Sequence, residues 1–229
     1  AGDIVNAASE LLHREGQIRL LLRLLRESAR TLEGHSRAMA LGNLATVYEE
    51  MGSYGEARHI YHRVLDEFKA LGDRKNVANT QNWLGTLYKL QGEYGPAREW
   101  YTESLATFKE LRYRPGVVCA LGNLGNLHIA QDQFDLARKC YEQVLEISRE
   151  LGDRSRVAKA FHHLGILHYA QGDYGKARKL SEQSLEIQQQ LGHRAGVANT
   201  LHHLGILPQK RGEYRLSWER YEPSLTISE

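Results

Sequence analysis

The chain has 229 residues, 41% of them hydrophobic, and its 30 lysines and arginines nearly balance 28 acidic residues. That composition excludes a disordered tail, and the near-neutral charge supplies no long-range field of the kind that gathers nucleic acid or an anionic membrane. Two cysteines, Cys119 and Cys140, in neither a C-x-x-C pairing nor a zinc-like spacing, exclude a disulfide scaffold and point to free thiols. No apolar run reaches membrane-spanning length, and Ala1-Gly2-Asp3 lacks the basic-then-apolar order of a signal peptide, so a soluble, cytoplasmic chain is expected.

From the amino end, residues 3–33 read as a degenerate helix pair serving as a cap. Arg19, Arg23, Arg26 and Arg30 share one helical face, with Leu20, Leu21, Leu24 and Leu25 largely opposite. A solvated face on a capping helix is the expectation; contact with nucleic acid, membrane or an acidic partner is the alternative. From residue 35 onward an offset of forty aligns the chain with itself. Leu44, Leu84, Leu124, Leu164 and Leu204 form one column, and Ala45, Gly85, Gly125, Gly165 and Gly205 the next. Further columns hold Tyr54, Tyr94, Phe134, Tyr174 and Tyr214, and then Leu65, Leu105, Leu145, Leu185 and Leu225. The units run approximately over 35–74, 75–114, 115–154, 155–194 and a truncated 195–229.

Inside a unit, Val77, Gln81, Leu84, Gly85 and Tyr88 recur at helical spacing. The breaker Gln91-Gly92-Glu93 follows, and then a second stripe, Tyr94, Ala97, Tyr101, Leu105 and Phe108. Each unit is therefore two antiparallel helices. Gly85 and Ala97 are expected to leave room for a neighbouring backbone, with Tyr101 and Leu84 filling the flanks. Gly72, Gly152 and Gly192 stand where a left-handed helix end is needed, and Asp73 and Asp153 follow as N-caps. The junction Arg112-Tyr113-Arg114-Pro115 lacks glycine, but Pro115 suits a first helical turn, as does Pro96. In the last unit Pro208 and Pro223 fall inside helices, at a cost of about 3 kcal/mol each, so that unit is expected to be kinked or weakly held. Glu229 falls inside its second helix, which suggests a piece of a larger protein.

Leu84-Gly85-Thr86-Leu87-Tyr88 and the span Ala97 to Tyr101 resemble the Leu-Gly-x-x-Tyr and Ala-x-x-x-aromatic pattern of the tetratricopeptide repeat family. Five repeats match, with a period longer than the family's usual span of about thirty-four residues. The family's closing proline gives way to a longer second helix running to Leu-Gly-Asp-Arg, as in Leu151 to Arg154. This subtype looks like the sensor arms of bacterial signal-transduction (STAND/NB-ARC-type) ATPases and is similar to kinesin light chains and Pins-type spindle-orientation adaptors. The resemblance implies an all-α fold, a right-handed superhelical solenoid of stacked antiparallel helix pairs, with the first helices lining a concave, ligand-facing side.

On that side the resemblance places Asn43, Thr46, Glu49 and Glu50, then Asn82, Trp83, Thr86 and Lys89, then Asn123, Asn126 and Ile129. His162, His163, Ile166 and Tyr169 follow, and finally His202, His203, Ile206 and Gln209. Amides and hydroxyls can grip a peptide backbone, whereas Ile166, Tyr169 and Ile206 would seat an apolar anchor. Ordinary solvated helix positions are the plainer alternative, which Trp83 resists because tryptophan usually needs cover. The clustered histidines raise a metal site, but nothing completes a ligand set; a polar face with pH-sensitive charge is preferred. The catalytic motifs sought, Gly-x-Ser-x-Gly, His-Glu-x-x-His and the phosphate loop, do not occur in the sequence. The expectation is a non-enzymatic scaffold without cofactor, metal, nucleic acid or membrane. It holds a protein, a peptide, a small inducer or a neighbouring domain of the same polypeptide, as the sensor part of a bacterial signalling regulator. A stand-alone adaptor is the alternative, and an undetected metal or catalytic site the distant one.

Overall fold

A computed structural model describes residues 18–207, which form ten helices in series with no strand among the described residues. These are α1 Ile18–Thr31, α2 Gly34–Glu50, α3 Tyr54–Ala70, α4 Arg74–Leu90, α5 Tyr94–Glu110, α6 Arg114–Ala130, α7 Phe134–Glu150, α8 Arg154–Ala170, α9 Tyr174–Gln190 and α10 Arg194–Ile206. Each helix from α2 to α9 has 17 residues. Turns such as Met51-Gly52-Ser53 separate them, so the sequence period of forty is two such helices and two such turns. The first half of the cap, residues 3–17, and the last unit's Pro208, Gln209, Tyr214, Pro223 and Leu225 lie outside the described residues.

The turns share one geometry. In the first, Gly52 N–H donates to Glu49 C=O at 2.9 Å and Ser53 N–H donates to Tyr48 C=O at 2.9 Å, the paired bonds that close a helix around a left-handed residue. Gly72, Gly152 and Gly192 take φ near +68°, as their positions require. Two turns lack glycine and still bend the same way: Arg112 at φ +52° and Asp132 at φ +56°. The bonds Arg112 N–H to Lys109 C=O and Tyr113 N–H to Phe108 C=O, 3.0 and 2.9 Å, hold Arg112 against a steric cost of about 1–2 kcal/mol. Asp73 and Asp153 cap α4 and α8 by accepting from Asn76 N–H and Arg156 N–H at 3.0 Å, and Asp173 caps α9 likewise. Pro115 and Pro96 sit in the first turns of α6 and α5.

The chain divides into two compact units, Ala1–Asn123 and Leu124–Glu229, the boundary falling inside α6. In unit 1 each of α1 to α4 packs on the next helix in sequence, around Leu21, Leu25, Leu41, Leu44, Tyr61, Val64, Phe68, Leu84 and Leu87. In unit 2, α7 packs on α8, α8 on α9 and α9 on α10, and α8 also touches α10. Its cores gather Ala137, Tyr141, Leu164 and Leu167, then Ala177, Leu185, Leu201, Leu204 and Leu207. Burying a leucine or aromatic ring in such a core contributes about 1.5–3 kcal/mol.

Two packing expectations need correction. A Cβ on Gly85 would lie 2.6 Å from the Tyr101 ring, and one on Gly125 2.8 Å from Tyr141, so these glycines admit a tyrosine ring rather than a backbone. Among the described glycines, backbone approaches closely at Gly165, where Ala177 O would lie 3.2 Å away. On α1, Leu21 and Leu25 are buried and Ile18 and Leu22 pack against the same core, but Leu20 and Leu24 are 43% and 39% exposed, because they lie outside that stripe. Arg26 is not a free solvated charge: its guanidinium lies over the Tyr48 ring, 5.8 Å from the centroid, and donates to the Tyr48 hydroxyl.

Candidate functional site

The candidate positions on α2, α4, α6, α8 and α10 begin with one recurring problem: the second helices α3, α5 and α7 each bury a tyrosine whose hydroxyl must be satisfied. In unit 1 the Tyr61 hydroxyl meets Thr46 Oγ1 at 3.1 Å and donates to Glu49 Oε2 at 2.9 Å. One repeat later Tyr101 donates to Thr86 Oγ1 at 3.1 Å, and its burial pushes the phenol up to about 12. Burial likewise raises Glu49, which the Tyr61 bond partly offsets. In unit 2 Tyr141 donates to Asn126 Oδ1 at 2.6 Å. Thr46, Thr86 and Asn126 therefore serve the repeat core as well as its surface.

The other unit 1 positions are also engaged. Trp83 stacks on Tyr61, centroids 5.9 Å apart and planes at 29°, and supplies the cover a tryptophan needs. Asn82 is 6% exposed, not a groove residue: its amide donates to Cys119 Sγ at 3.2 Å, and its oxygen accepts from Asn123 at 3.1 Å. Cys119 and Cys140 are free thiols. Half-buried Lys89 acts electrostatically on Glu49, and Asn43 is half-buried on α2.

Unit 2 departs from this scheme at Ser181, which occupies the column of Tyr61, Tyr101 and Tyr141 and is fully buried. Its partner position on α8 is Ile166, which cannot bond a hydroxyl. Instead Ser181 Oγ meets Nδ1 of His203 at 2.9 Å, and His203 is 5% exposed. His203, like Asn82, is buried rather than solvent-facing. Around it the rings of His162 and Tyr169 stand edge-on, with centroids 5.8 and 5.7 Å away. His163 stacks on Tyr141 at 4.6 Å and 12°. His162 Nδ1 lies 3.4 Å from Thr200 Oγ1, which donates to Gln188 Oε1. His202 and Ile206 are exposed.

Burial lowers all three inner imidazoles, His163 to about 4, with His162 and His203 moving the same way for the same reason. They are neutral near pH 7. Among the described residues no group of three or more His, Cys, Asp or Glu is arranged to hold a metal; these imidazoles meet ring to ring. No described helix is long and apolar enough to cross a membrane. Ser181 and Gln188, missed as contributors to this cluster, had a signal in the sequence: they break the tyrosine column and the Phe68, Phe108 column.

The comparisons agree with this architecture. The tetratricopeptide repeat model matches residues 36–110, 116–190 and 156–229, and no curated protein matches the chain. Among solved structures, BtubC (BKLC) from P. vanneervenii is 25% identical, with a TM-score of 0.72 over 82% of this chain and 80% of that one. A putative kinesin light chain of nearly identical repeats from P. anserina is 21% identical, with a TM-score of 0.67 over 83% and 96%. A signal transduction ATPase with numerous domains and a tetratricopeptide repeat sensor, from Pyrococcus horikoshii, is 17% identical, TM-score 0.71, and matches 99% of this chain but 35% of its own. With helix pairs recurring every forty residues and the family pattern matched over most of their length, this chain belongs to the tetratricopeptide repeat family.

Proposed function

We propose that the chain holds a protein or peptide as the sensor or interaction part of a larger bacterial signalling regulator, and that it is not an enzyme. The observation that carries this reading is on unit 2. Tyr169 and Ile166 on α8 are half-buried, and Ile206 on α10 is 47% exposed, one turn beyond the histidine that Tyr169 covers. Apolar groups set among imidazoles on two touching helices suit an anchoring side chain better than water. In unit 1, half-buried Asn43, Thr46, Trp83, Thr86 and Lys89 offer amide, hydroxyl, ring and charge to a backbone. The Pyrococcus sensor favours the signalling role, and the kinesin light chain favours the second reading, an adaptor for complex assembly.

A pull-down with this chain, followed by mass spectrometry, identifies the partner, and isothermal titration then locates the site. Tyr169→Ala is expected to cost about 2 kcal/mol of binding, whereas Lys139→Glu on exposed α7 surface leaves affinity unchanged. The opposite pattern rejects this face as the binding surface. A phosphate-binding loop on the same polypeptide favours the signalling ATPase over the adaptor.

A further inference from the structure

We infer that the α8–α10 face of unit 2 receives a carboxylate that neighbours an apolar group, with His203 as its hydrogen-bond donor; this rests on the reading of that face as a binding surface. The geometry begins with the broken column. Ser181 is too short to reach α8 as Tyr141 reaches Asn126, and its hydroxyl instead meets His203 Nδ1 at 2.9 Å. With the hydroxyl donating, the proton of the neutral ring sits on Nε2. That nitrogen is buried and has no hydrogen-bond partner, although His203 is 5% exposed. A buried ring nitrogen left unmet is a costly state that native proteins seldom retain without a use.

Charge selects the acceptor. Among the described residues, the charged groups acting on His162, His163 and His203 are one another, His202 and Lys159. The remaining rings packed here are those of Tyr141 and Tyr169, so among the described residues no carboxylate compensates a proton taken up by the cluster. An incoming carboxylate accepts from Nε2–H and supplies the missing negative charge, while Nδ1–H of the charged ring donates to Ser181 Oγ. Binding is therefore coupled to proton uptake. The rings that stand edge-on to His203, those of His162 and Tyr169, are only half-buried, and exposed Ile206, one turn further along α10, receives the apolar group.

The test follows the histidine resonances of the full chain by NMR during titration with three probes: acetyl-alanyl-leucine with a free carboxylate, its C-terminal amide, and acetate. The free acid is expected to bind about tenfold more tightly at pH 5.5 than at pH 7.5 and to raise the titration midpoint of His203, with the amide doing neither. His203→Gln should abolish the pH dependence. Should that variant not fold, acid against amide on the parent chain still decides. An equal response to acetate assigns the site to free small acids, and a response to the dipeptide acid alone assigns it to a chain end. Equal binding of acid and amide at both pH values overturns the carboxylate while leaving the face a binding surface. Absence of any His203 response overturns the inference and leaves the pull-down to judge the broader reading.

Discussion

Positions eighty residues apart in the two units carry opposite cores. Unit 1 buries Tyr61, Phe68, Tyr101 and Phe108 where unit 2 buries Tyr141, Ser148, Ser181 and Gln188, so four large rings become one. Helix lengths and turns are the same in both, which shows that the frame is set by its caps and left-handed turns while each interior compensates locally. Gly116 admits the Phe108 ring, which a Cβ would meet at 2.4 Å, and in unit 2 His203 moves in beside Ser181. Unit 1 is held mainly by apolar burial; unit 2 depends more on hydrogen bonds among neutral polar groups.

The sharpest way to break this comparison is a matched pair in one column. Phe108→Ala should destabilise by about 3–5 kcal/mol. Ser148→Ala should stay within about 1 kcal/mol of the parent, because Ser148 Oγ is buried without a partner and its loss removes a desolvated group. Urea unfolding followed by tryptophan fluorescence reads both, and equal costs would show that the polar core of unit 2 packs as productively as the rings of unit 1.

A middle-sized effect tests the tyrosine-in-glycine contact. Gly85→Ala places a methyl 2.6 Å from the Tyr101 ring and should cost about 1–3 kcal/mol. Gly205→Ala meets nothing within 4 Å and should gain about 0.5–1 kcal/mol from helix propensity alone. A loss at Gly205 as large as at Gly85 would mean that the column is conformational rather than steric.

The smallest effect separates the units by pH. The imidazoles of unit 2 are lowered in the folded chain, His163 to about 4, against about 6.5 when unfolded. Both states are neutral above pH 6.5 and stability is complete there. As pH falls below 6.5 the unfolded chain takes protons first, and the contribution is lost toward pH 4, His163 alone giving up about 1 kcal/mol by pH 5.5 after allowance for solvent screening. In unit 1, His62 is the one described histidine shifted the same way. Hydrogen exchange should therefore quicken in α8 to α10 before α4 and α5; uniform quickening contradicts the contrast.

Much of the frame was legible in the sequence. Leu84 and its equivalents, the turn glycines and the Asp73 and Asp153 caps act within one helix or turn, where local chemistry decides. The left-handed turns at Arg112 and Asp132 were not, since aspartate tolerates positive φ without requiring it, arginine does not favour it, and the paired turn bonds impose it. The role of Thr46, Thr86 and Asn126 was hidden for another reason: their partners lie fifteen residues away on the opposite helix. A paired reading of columns held the clue, because Ile166 replaces the polar residue in the repeat where Ser181 replaces the tyrosine.

The hydroxyl bonds and the ring stacks differ in how they would survive gene duplication. Tyr61 to Thr46, Tyr101 to Thr86 and Tyr141 to Asn126 each join two helices of one repeat, so a copied or transplanted repeat carries its own bond with it. The stacks of Tyr61 on Trp83 and Tyr141 on His163 join a repeat to its successor, and each needs an aromatic ring at that position of the next repeat. The first kind of contact makes a repeat portable. The second makes it depend on its neighbour, and the 83 and 163 positions are where that dependence lies.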